Sequence, residues 1–74
     1  MIVVQKIGPD PSFENLERYV LQVEIFETWA AAFEYLEQRT GPLDYETRKR
    51  AARMGFLDIE IPASSVMYKA RFNK

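Results

Sequence analysis

Hydrophobic and polar positions alternate with a period of two in three stretches of this chain and follow a helical period in two others. Leu21-Gln22-Val23-Glu24-Ile25 alternates strictly, which sets Tyr19, Leu21, Val23 and Ile25 on one face of a strand. Leu57-Asp58-Ile59-Glu60-Ile61 does the same. After the turn signal Pro62-Ala63-Ser64-Ser65, Val66, Tyr68, Ala70 and Phe72 point one way while Met67, Lys69 and Arg71 point the other. The last two runs predict a hairpin. With Ile61 opposite Val66, its register brings Asp58 to face Lys69, a favourable cross-strand pair. Residues 2–7 are β-branched and short, a further strand, and Gly8-Pro9-Asp10-Pro11-Ser12 is turn punctuation that should end it.

Between these strands the period changes to that of a helix. Thr28 reads as an N-cap for a helix reaching Arg39, with Trp29, Ala32, Phe33 and Leu36 on one side and Glu27, Glu34 and Glu37 on another. Gly41-Pro42 stops it. A second helix runs over residues 44–54, capped by Asp44 and followed by Gly55. Its stripe of Leu43, Thr47, Ala51 and Met54 is narrow enough to lie close against a sheet. The order is therefore ββααββ. It predicts an α+β fold in a single domain, residues 1–74, with a four-stranded, mostly antiparallel sheet and two helices covering one face. A competing pattern runs through Leu16, Tyr19, Val20, Val23 and Phe26, which also fit helical spacing behind the cap pair Asp10-Pro11. It would make residues 11–39 largely helical and the order βααββ. The β-branched residues Val20, Val23 and Ile25 favour the strand, as do Leu21 and Ile25, which the helix would leave off its stripe.

Composition narrows what this fold can do. The chain has 74 residues, of which 47% are hydrophobic and 14% aromatic, a globular balance. A domain of this size buries only roughly 60% of the surface its unfolded chain exposes, so the core is thin. No cysteine is present to staple it. Stability must come from packing alone or from association, and homodimerisation is one form that association could take. No stretch approaches the roughly 18 apolar residues of a membrane span. The first residues, Met1-Ile2-Val3-Val4-Gln5-Lys6, lack the basic start and long apolar run of a signal peptide, so a cytoplasmic location is expected.

Charge is divided along the chain. Residues 1–38 carry Lys6 and Arg18 against Asp10, Glu14, Glu17, Glu24, Glu27, Glu34 and Glu37, a net of −5. Residues 39–74 carry eight cations against Asp44, Glu46, Asp58 and Glu60, a net of +4, with Arg48, Lys49, Arg50 and Arg53 inside six positions. The whole-chain value of −1 conceals this.

Catalytic chemistry finds little to work with. No histidine is present, so imidazole bases, serine–histidine triads and the common zinc sites are excluded; without cysteine, thiolate and iron–sulfur chemistry are excluded too. Gly8, Gly41 and Gly55 are too scattered to cradle a phosphate. Ser65 and Lys69 would share a strand face about 13 Å apart, beyond any serine–lysine pair, and the serines read as turn residues. Asp58 and Glu60 lack the further oxygens of a hard-cation site and read as a solvated sheet face. No catalytic residue, metal site or cofactor is expected.

The basic helix is the candidate site. Helical spacing gathers Lys49, Arg50 and Arg53 within about a 100° arc, with Arg48 to one side and Tyr45 close by. Such an arc can fork onto carboxylates of a protein partner or neutralise phosphates of a nucleic acid. A plainer account also fits. Cations late in a helix complement its dipole, and Asp44 with Arg48 and Glu46 with Arg50 would balance internally as i,i+4 pairs. Tyr35 and Tyr45 flank the apolar stripes, where tyrosine serves interfaces well.

The reading that results is a non-enzymatic protein-binding module, a small regulator or inhibitor acting on a macromolecular partner. By size and type alone, such chains are common among accessory proteins of phages and mobile elements. Nucleic-acid binding through residues 44–54 is the alternative. It is disfavoured by the net charge of −1 and a pI near 5.4.

Overall fold

Each predicted element forms, and the caps show why each helix begins and ends where it does. A computed structural model of the chain describes residues 1–9 and 18–73, the side chain of Arg18 excepted. Strands β1 (Ile2–Pro9) and β2 (Arg18–Phe26) come first, then helices α1 (Trp29–Thr40) and α2 (Tyr45–Met54), then strands β3 (Phe56–Ile61) and β4 (Val66–Phe72). The Thr28 side chain accepts the Ala31 amide at 3.2 Å, and Asp44 Oδ1 accepts the Thr47 amide at 2.7 Å, so each helix start has one of its free N–H groups satisfied. Gly41 and Gly55 close the two helices by donating to the carbonyls of Glu37 and Ala51, at 3.0 and 2.8 Å. Gly55 does so in the left-handed region, φ 83 and ψ 12, which glycine enters without a Cβ penalty.

The four strands make one antiparallel sheet in the order β2-β1-β4-β3. β1 is therefore central, and the helices carry the chain from one sheet edge to the other. Residues 19–26 are extended, which excludes the helical alternative there; residues 10–17, including Asp10-Pro11-Ser12 of the predicted turn, lie outside the described residues. Gly8 and Pro9 belong to β1 instead of ending it. Pro9 pairs with Arg18 of β2, while the ladder to β4 stops at Ile7, so the missing proline N–H removes no bond from that second ladder.

The β3–β4 register is the predicted one, Ile61 opposite Val66 and Asp58 opposite Lys69. The ion pair, however, is diagonal: Arg71 Nη1 donates to Asp58 Oδ1 at 2.7 Å, and the Arg71 guanidinium stands 5.3 Å from the Phe56 ring centre. Arginine's longer fork reaches across to Asp58 while leaning on the ring, a stacking that lysine makes less well.

One predicted face is wrong. Tyr19, Leu21, Val23 and Ile25 do not share a side, because the β1–β2 register shifts between Lys6 and Ile7, leaving Leu21 unpaired in a bulge. Beyond it Val20 is opposite Ile7 and Tyr19 is opposite Gly8. Val20, Val23 and Ile25 thus lie on the face of Ile7, Gln5 and Val3. Leu21 leans over Gly8 instead, where a Cβ would sit 3.0 Å from Leu21 Cδ1.

The core lies on the other side of β1. Ile2, Val4, Tyr68 and Ala70 of the sheet meet Ala32 and Leu36 of α1, all 5% exposed or less. Ala32, with its single methyl, lets the helix approach the central strands closely, and Leu36 fills the space beside it. Phe26 and Tyr35 pack at the margin with ring centres 5.1 Å apart, and Trp29 stacks on Phe33 at 5.3 Å. α2 is held more loosely: Ala51 is its one fully buried residue, and Met54, predicted to face inward, is exposed at the β3 edge.

Candidate interaction surface

The α2 cap and its one buried residue fix which way the cations point. With Ala51 turned inward, Glu46, Lys49, Arg50 and Arg53 line one shallow depression on the outer side of the helix. They stand at the i, i+3, i+4 and i+7 spacing of a single helical face. All four are exposed, and none forms an ion pair with a carboxylate among the described residues. The expected i,i+4 pairs do not close. Asp44 spends its carboxylate on the cap, where the Thr47 hydrogen bonds hold its pKa below the ordinary value, with Arg50 and Arg48 lowering it further through space. Tyr45 is 67% exposed, and Lys49 Nζ stands 5.9 Å from its ring centre.

Arg48 is separated from this arc. Its Nη1 lies 3.8 Å from Glu37 Oε1 of α1, and both residues line the groove between the helices with Ala30, Phe33, Glu34 and Gln38. The site predicted from spacing therefore divides: Lys49, Arg50, Arg53 and Tyr45 face solvent together, while Arg48 ties the two helices. Tyr35 also leaves the candidate group. It packs between Phe26 and Tyr68, with its ring centre 6.5 Å from that of Tyr68, and the Arg39 guanidinium lies 3.7 Å above it. Burial there raises the phenol pKa, against the opposing pull of Arg39.

No family model, curated protein or solved structure matches this chain.

A second surface was not read from the sequence as a site. On the sheet face away from α1, Val20, Val23 and Ile25 of β2 are 51%, 48% and 61% exposed. Val3 and Ile7 of β1 stand beside them, and Met67 of β4 is opposite Ile7. On β3 and the rest of β4 the same face carries Asp58, Glu60, Lys69 and Arg71, with Phe56 at its end beside the Arg71 guanidinium. A signal for this existed in β1, which is apolar on both sides: Ile2 and Val4 toward α1, Val3 and Ile7 away from it. A strand of that kind is built to be covered twice, and the two helices cover it once. Among the described residues, no helix is long and apolar enough to cross a membrane.

Proposed function

We propose that this chain is a non-enzymatic protein-binding module, a small regulator or inhibitor that docks on an acidic patch of a macromolecular partner through α2. The observation that carries this is the triad Lys49, Arg50 and Arg53: exposed, on one helical face, and without ion pairs to described carboxylates. Pairing with Asp44 and Glu46 would have kept these cations within the helix. Instead Asp44 is engaged at the cap and Glu46 sits at the end of the arc. Arginine forks match carboxylates in a bidentate way, and Tyr45 adds a large, rigid, amphipathic ring at the border. Arg48 supports the surface from behind through Glu37.

Nucleic acid offers phosphates to the same cations. The net charge of −1 and the acidic first half of the chain weigh against it, since phosphates drawn to α2 would also meet those anions. The test compares the wild-type chain with Lys49→Ala/Arg50→Ala/Arg53→Ala. A protein captured by the wild type should be lost by the triple variant, and neither should shift a DNA or RNA probe at about 50 mM salt. A partner that stays bound to the triple variant, or a probe shifted by the wild type, would sink this reading.

A further inference from the structure

We infer that a second copy of this chain covers the apolar half of the open sheet face, the two copies packing β1 and β2 face to face about a two-fold axis. The inference does not involve the α2 arc.

Four observations support it. First, the patch is contiguous and lies where a two-layer fold should be polar. Val20, Val23, Ile25, Val3, Ile7 and Met67 adjoin one another through the β2-β1-β4 ladders. The polar half of the same face shows that the sheet can be solvated where solvation is wanted: Asp58 and Arg71 are bonded to each other there at 2.7 Å. An antiparallel sheet with one wet face normally alternates throughout, and this one places charged residues on that face mainly along β3 and the end of β4.

Second, the size fits. From the exposures of its three β2 residues and the partial exposure of the others, the patch presents on the order of 450 Å² per copy, at the scale where exposed apolar patches become functional. Two copies would bury about 900 Å² of apolar surface before any rim is counted, close to the lower bound of about 1,000 Å² for a specific interface.

Third, the polar content suits an identical partner. Gln5 is the polar residue within the patch, opposite Val23 on one side and Lys69 on the other. An amide both donates and accepts, so it can bond to its own symmetry mate across a two-fold axis. Among the described residues, no charged side chain lies inside the patch to be desolvated. With the axis parallel to the strands and above β1 and β2, each copy's charged half projects beyond the other copy into water. Lys69 then stands at the rim, where a lysine stem lies easily along apolar surface.

Fourth, the chain needs the cover. It has no cysteine, and among the described residues its core cluster holds six buried residues. A domain this small usually gains stability from a staple or from association.

The decisive experiment is sedimentation equilibrium of the intact chain over a range from about 1 to 200 µM, with Val23→Thr/Ile25→Thr measured beside it. Threonine keeps the β-branched strand preference while adding a hydroxyl to each contact, and both positions are exposed in the single chain, so the variant should fold as the wild type does. The wild type should move toward twice its 8.7 kDa mass, and the variant should dimerise about tenfold more weakly or worse. Isotope-filtered NMR on a mixture of labelled and unlabelled chains should show methyl contacts between Val23, Ile25 and Val3 of different copies. A wild type that stays monomeric throughout the range would overturn the proposal. So would a folded variant that dimerises like the wild type, or inter-copy contacts confined to the β2 backbone, which would mean edge pairing.

Discussion

Gly8 shows how much one missing side chain decides. It lies in β1 opposite Tyr19, and a Cβ there would stand 3.0 Å from Leu21 Cδ1 and 3.3 Å from Val66 Cγ2. Those distances are too tight for comfort, and the space a Cβ would take is filled by the bulged Leu21. Gly8→Ala should therefore cost about 1 kcal/mol, since Leu21 is 45% exposed and its tip can yield in part. In a Leu21→Ala background the same change should cost only a small fraction of that, because the nearest obstruction is gone and Val66 Cγ2 at 3.3 Å has to give only slightly. Urea denaturation of the four chains in that cycle gives the coupling, expected near 1 kcal/mol; a coupling of zero would mean that Leu21 does not occupy the site over Gly8. In sequence Gly8 reads as turn punctuation. Its role as room for a neighbour depends on the bulge, and no local pattern announces a bulge.

At the scale of elements the sequence was legible wherever a signal is local. Thr28 and Asp44 cap the helices as their types predict, Gly41 and Gly55 close them, and Ile61 meets Val66 across the last hairpin. What failed depends on partners distant in sequence. The side taken by Val20 follows from its pairing with Ile7, and a one-residue shift reverses every side chain beyond it. The α2 candidate site was legible as an arc from spacing alone, but Arg48's turn toward Glu37 was not, since Glu37 is brought there by the packing of α1. Because α2 buries little besides Ala51, its cap should matter more to it than Thr28 does to α1. Asp44 has its pKa lowered in the fold from the ordinary 3.8. Its contribution is therefore present above that value and lost as pH falls through the lower, folded one. Asp44→Asn keeps a capping side chain that does not titrate. Between pH 5 and pH 2.5, roughly the span over which carboxylates protonate, the thermal midpoint of the wild type should fall further than that of the variant. Equal falls would show that the cap carboxylate is not what ties α2 to pH.

For the molecule as a whole, the strand order β2-β1-β4-β3 sets the two halves of the chain on opposite sides of the sheet. α2, β3 and β4 come from the basic second half and hold Arg48, Lys49, Arg50, Arg53, Lys69 and Arg71, while Asp10, Glu14 and Glu17 of the acidic first half lie outside the described residues. The two proposed surfaces are then of opposite physical kinds. The proposed α2 contact would work through charge; the open-face patch lies over β1 and β2 and, among the described residues, contains no ionised group. Salt should separate them. Exposed charges more than about 8 Å apart are largely screened at physiological ionic strength, and attraction between charged surfaces weakens further as salt is added. Apolar burial is not weakened in that way and is strengthened by strongly hydrated anions such as sulfate. Raising sodium chloride from roughly 50 to 500 mM should thus weaken partner binding through Lys49, Arg50 and Arg53 by about tenfold or more. The self-association constant should change less than about threefold over the same range, and ammonium sulfate should increase it. If self-association collapses with added chloride, the copies are meeting through charged groups, and the uncovered face of β1 and β2 is not what joins them.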